Sequence, residues 1–132
     1  MEFDTKQKVL IAMYVEYQKD LPNMDENITP ENLGLQEEIF AVAIEKLLNE
    51  ELINGADVTR CIGTYDQPEA TLFGAMLTSK GISYVEEKLG INSNLSGKEK
   101  IEVVRKSFLE QGLDVLTDFA AKVTAELIKA QT

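Results

Sequence analysis

The chain of 132 residues has no histidine and a single cysteine, Cys61. Without imidazoles the usual proton shuttle near neutral pH is missing, and one thiol cannot build a transition-metal site. A lone cysteine also cannot close an internal disulfide, so Cys61 reads as a small buried hydrophobe. No glycine-rich phosphate loop occurs. The adjacent acids Glu37-Glu38 and Glu50-Glu51 read as solvated helix surface, and Asp20, Asp25, Glu26 and Asn27 lack the spacing of a calcium loop. No enzyme, cofactor or metal is expected.

Long apolar runs are absent too. None approaches the ~18 residues of a membrane-spanning helix, and Met1 to Lys19 mixes acids and lysines with apolar residues, unlike a secretory leader. A cytoplasmic protein that does not enter a membrane is expected. Bases are also scarce, thirteen against twenty-three acids, for a formal charge of -10. Residues 1–92 hold seventeen acids and seven bases, whereas residues 93–132 hold six of each, so the first part carries the whole excess. Because nucleic-acid affinity comes mainly from Lys and Arg neutralising phosphates, any DNA reading begins at a disadvantage.

What the chain does have is a globular composition, 44% hydrophobic and 27% charged, in an amount that suits one domain with an appendage. Asp4 and Gln7 form a capping-box start, and Val9, Leu10, Met13 and Tyr17 then define one apolar face of a helix from about Thr5 to Lys19. Asp20 to Ile28 reads as a polar connector. Thr29-Pro30-Glu31 opens a very short helix stopped near Gly34. From Gln36 to about Glu50, Ile39, Phe40, Ala43, Ile44, Leu47 and Leu48 recur at three-and-four spacing.

Past Gly55, Ala56 to Ile62 and Ala70 to Leu77 are strand candidates separated by the turn-rich Gly63 to Glu69, which together make a wing. Thr78 caps a helix from Ser79 to Leu89 with Gly90 as its stop. The predicted fold is mainly α with a small β-hairpin: a winged helix-turn-helix head over residues 1–90, a polar linker at 91–95 and a helical arm over 96–132. Ser96 and Glu99 open the arm. Its apolar stripe runs Ile101, Val104 and Phe108, then changes register near Gly112, where a kink or break is expected. Leu109, Leu113, Leu116, Ala120, Val123 and Leu127 follow at alternating four-and-three spacing. The head is expected to fold without the arm.

The stretch Ile28-Thr29-Pro30-Glu31-Asn32-Leu33-Gly34-Leu35, with Phe40-Ala41 and Leu47-Leu48-Asn49-Glu50-Glu51-Leu52-Ile53-Asn54-Gly55, resembles the YjcQ-like family of phage and prophage proteins. So does Leu77-Thr78-Ser79-Lys80-Gly81-Ile82-Ser83-Tyr84-Val85-Glu86-Glu87, similar to the closing pattern LTxKGxxYLEE with Val85 in place of Leu. The resemblance covers residues 5–90 and implies a winged-helix fold and a phage or prophage setting. It implies no activity, and residues 96–132 exceed the brief ending of the family.

If the head bound DNA as winged helices do, the helix from Gln36 would enter the major groove with Gln36, Glu37, Glu38 and Ala41 foremost and Lys46 as its only base. The wing would add Arg60, Thr64, Tyr65 and Gln67. Of these, Gln36, Glu37, Lys46, Arg60, Thr64, Tyr65 and Gln67 are the candidate contacts for DNA or for another partner. Two functions follow. One is a DNA-associated regulator acting as a homodimer whose arms separate two heads; the other is an acidic module binding a basic surface on a host or phage protein. The arm stripe either pairs with a second copy or folds back on its own head, and its candidate interface is Leu109, Leu113, Leu116, Ala120, Val123 and Leu127.

Overall fold

The computed structural model describes residues 3–60 and 68–111. Helix α1 spans Thr5–Tyr17 behind a complete capping box, in which the Gln7 amide donates to Asp4 Oδ1 at 2.8 Å and the Asp4 amide to Gln7 Oε1 at 2.9 Å. The expected single apolar face is too narrow: every residue from Val9 to Glu16 is buried. The reason is tertiary, because α1 lies at the centre and other elements pack against it from several sides.

The connector after α1 is not merely polar. It contains a helical turn, α2 (Met24–Asn27), capped by Asn23 and fixed by the buried Glu16 carboxylate, which accepts from the Asn23 amide at 2.9 Å and from Asn27 Nδ2 at 3.0 Å. Met24 and Ile28 are thereby turned into the core. Helix α3 (Pro30–Leu33) follows as expected, capped by Thr29 and ended by Gly34 at φ 66°. Helix α4 (Glu37–Asn49) ends with Glu51 at φ 61°, a left-handed residue that returns the Leu52 amide to the Leu47 carbonyl.

The hairpin is built in two pieces. Strands β1 (Ile53–Asn54) and β4 (Met76–Leu77) pair Ile53 with Leu77, and β2 (Asp57–Arg60) and β3 (Pro68–Thr71) pair Asp57 with Thr71 and Arg60 with Pro68. The strand expected over Ala70 to Leu77 is therefore interrupted at Leu72 to Ala75, and Pro68 and Glu69, expected in the loop, lie in a strand. Phe73-Gly74 makes the corner, with the Ala75 amide donating to the Leu72 carbonyl at 2.9 Å. Pro68 is tolerated at a strand start because no ladder donor is needed there.

Helix α5 (Ser79–Leu89) is capped by Thr78, whose hydroxyl accepts from the Gly81 amide at 3.0 Å, and it ends at Gly90 with φ 67°. A Cβ on Gly81 would stand 2.0 Å from the Leu52 carbonyl oxygen, so only glycine lets the start of α5 sit against the backbone that leads into β1. Helix α6 (Gly97–Gln111) opens with the Ser96–Glu99 capping box. Among the described residues, no helix is long and apolar enough to cross a membrane.

The start of the arm shares the core of the head. Ile91, Ile101 and Val104 are buried in the same cluster as α1 and α4, Leu95 and Val103 pack against it, and α6 contacts both α1 and α5. Polar linker residues 92–94 merely bridge two parts of one core. A chain ending at Asn92 uncovers α1 and removes two buried side chains, each contributing about 1.5–3 kcal/mol. That truncation is expected to lower stability by roughly 4 kcal/mol or more, read as a collapsed or strongly lowered thermal transition by circular dichroism. A transition unchanged from that of the full chain would show that the first 92 residues are self-sufficient.

Candidate functional site

The first turn of α4 faces solvent. Gln36, Glu37 and Glu38 are exposed, and the two acids lie in the first turn, where unpaired backbone amides favour negative charge. Ile39, expected in the core, is 45% exposed, whereas Ala41, expected on the reading face, is fully buried. The helix is rotated relative to that expectation, because Phe40, Ala43, Ile44 and Leu47 direct its inner side. An apolar residue stands among the acids.

A shallow groove of about 320 Å³ runs between the start of α1 and α4, lined by Thr5, Lys6, Glu38, Ile39, Val42, Ala43 and Lys46. Lys6 is held there by Glu50 at 2.6 Å, a bond that keeps its ammonium above the usual lysine range. Lys46 is exposed. Arg60, at the end of β2, does not reach outward freely: its guanidinium pairs with the Glu45 carboxylate of α4. The structure thus brings Lys46 onto the groove and joins Arg60 to α4, but in the second case the cation already faces an acid. Thr64, Tyr65 and Gln67, like Cys61, lie outside the described residues. Leu109 lies on α6, and the interface candidates Leu113, Leu116, Ala120, Val123 and Leu127 are outside them as well.

Among the described residues two carboxylates are buried, and neither stands out in the sequence. Glu16 organises the α1–α2 connector and pairs with Lys19 at 2.9 Å. Glu86 accepts from the Tyr14 hydroxyl at 2.9 Å and pairs with Lys100 at 2.8 Å, so one acid links α1, α5 and α6. Burial and the bond to Glu86 push the Tyr14 hydroxyl well above the usual phenol range. Both acids have partners that hold helices in place, and no group of three metal-ligating side chains exists among the described residues.

A family model described as YjcQ protein matches residues 7–114. The chain belongs to the YjcQ family. The match runs past Gly90 and takes in all of α6, so the YjcQ unit is larger than the 5–90 span that carries the sequence motifs. That extent agrees with the core, which α6 completes. No curated protein and no solved structure gives a significant match.

The Glu86 network is directly testable in this YjcQ chain. Glu86→Leu strands the Lys100 ammonium and the Tyr14 hydroxyl in a mostly dry site, and is expected to cost about 3 kcal/mol in urea unfolding. Tyr14→Phe leaves the Glu86–Lys100 pair intact and should cost only about 1 kcal/mol. Equal costs would mean that the pair contributes nothing beyond the hydroxyl bond.

Proposed function

We propose that this chain is a non-enzymatic, winged-helix binding module whose acidic head takes a protein partner through a basic surface. The pairing of Arg60 with Glu45 carries the reading. On a winged helix that binds DNA, the wing and the reading helix both supply cations to phosphates; here the cation at the wing is neutralised by an acid of the helix itself. The start of α4 supports the same reading, since Glu37 and Glu38 directly precede an exposed Ile39, and an apolar side chain next to acids suits a protein surface better than a phosphate backbone. A phage or prophage setting in the cytoplasm belongs to the proposal, supported by the family and the composition.

The competing function is a DNA-associated regulator, supported by the order of helices and hairpin. Titration of mixed-sequence duplex DNA at low and at moderate salt separates the two. The acidic module is expected to show no binding at either. Binding at low salt that falls steeply as salt rises, and that weakens in Arg60→Ala and Lys46→Ala, would move the chain to the DNA-associated class.

We further propose that two copies pair through the arm. The support is the stripe Leu109, Leu113, Leu116, Ala120, Val123 and Leu127 at coiled-coil spacing, together with α6, which leads from the core into it. Sedimentation at one concentration is expected to give a dimer for the wild type and a folded monomer for Leu116→Glu, which sets a charge against an apolar seam. A monomeric wild type would end the dimer proposal and leave the stripe to pack on its own head.

A further inference from the structure

Phe73 is 81% exposed, although Leu72 before it and Ala75 beyond it are buried. The corner that displays it is closely built. Gly74 takes φ 81° and Gly55 takes φ 77°, and the two backbones approach so closely that a Cβ on Gly55 would stand 2.3 Å from the Gly74 carbonyl oxygen. With the Ala75 amide bonded to the Leu72 carbonyl, Phe73 occupies the second position of a tight turn whose third residue is a left-handed glycine. Met76, 39% exposed, follows on β4 opposite Asn54. An exposed aromatic held in a tight turn, with an exposed methionine three residues on, has the composition of a binding anchor, because little freedom remains to be lost on contact.

The charge around the corner selects the partner. Asp57, exposed, stands opposite Thr71, two residues from Phe73, and Glu69 is exposed farther along β3. Arg60, the hairpin's only base among the described residues, is taken by Glu45. We infer that Phe73 is the anchor of the partner surface: it packs on an apolar face of a protein whose rim carries lysine or arginine, and Asp57 and Glu69 face that rim. A second copy of the head would bring like charge against like, and a nucleic-acid backbone would do the same. The inference rests on the reading of the head as an acidic protein-binding module.

The probe is a synthetic amphipathic helical peptide with leucine on one face and lysine on the other, and the control is an oligolysine of equal charge. Each is titrated against the full chain as wild type, Phe73→Ala and Leu21→Ala, the last at another exposed apolar side chain. Phe73→Ala is expected to bind the leucine–lysine peptide at least about tenfold more weakly, with oligolysine binding and the thermal midpoint unchanged. Leu21→Ala is expected to bind as wild type does. Equal affinity of Phe73→Ala for the leucine–lysine peptide overturns the anchor and leaves the acidic-module reading standing, whereas no wild-type binding to either peptide at low salt removes that reading too. A lowered thermal midpoint in Phe73→Ala assigns the side chain to the fold, and dissociation of a wild-type dimer by the same substitution assigns it to a second copy; either result overturns the proposal.

Discussion

Helix α1 is enclosed over its whole middle, from Val9 to Glu16, and the placement of the other elements follows from that enclosure. A helix with no solvent face offers no free side for a polar group, yet this one carries Tyr14 and Glu16. Each must find partners inside the fold. Glu16 draws the connector inward by binding Asn23 and Asn27, which makes a helical turn of a segment composed largely of polar residues. Tyr14 bonds Glu86 on α5, and Glu86 holds Lys100 on α6, so the last described helix is tied to the first through a shared carboxylate. The cover over α1 thus depends on residues far apart in the chain.

The same demand for close packing shapes the rim of the core. Gly81 lets α5 meet the Leu52 carbonyl, and Glu51 accepts a left-handed backbone so that α4 can stop and the hairpin begin. Thr78 reinforces this joint by donating its hydroxyl to the Glu51 carbonyl at 2.7 Å, and Lys80 Nζ reaches the Glu50 carbonyl at 3.1 Å. These contacts fix the hairpin against α4. A rigid frame of this kind permits a corner such as Leu72 to Ala75 to hold one side chain outward while its neighbours stay buried.

Charge then decides how the frame can be used. The acids at the start of α4 are favoured there by the helix's own amides, and Arg60, the cation of the hairpin among the described residues, is paired with Glu45. Under the proposed reading, affinity comes from apolar anchors, and the acidic surround steers a basic partner and repels phosphate backbones. Surface ion pairs contribute little to stability, so under that reading the pairing of Arg60 with Glu45 matters more for recognition than for folding.

Much of this architecture was legible in the chain itself, because caps and stops are local chemistry. Asp4 with Gln7, Thr29 with Pro30, Thr78 with Gly90 and Ser96 with Glu99 each mark a helix end through hydrogen bonds made within a few residues, and the structure has helix ends at all four. The acidity of residues 1–92 and the lack of histidine are likewise properties of composition. What depends on distant neighbours was not legible. The burial of α1 on all sides, the exposure of Ile39, the inward turn of Ala41 and the inclusion of α6 in the core are set by which elements meet, and periodicity reports only that a face is apolar. The break at Phe73-Gly74 is the clearest case: Ala70 to Leu77, a largely apolar run after a turn-rich loop, reads as one strand, but the close approach of Gly55 to Gly74, across nineteen positions of sequence, is what turns the chain there and leaves the phenylalanine outside.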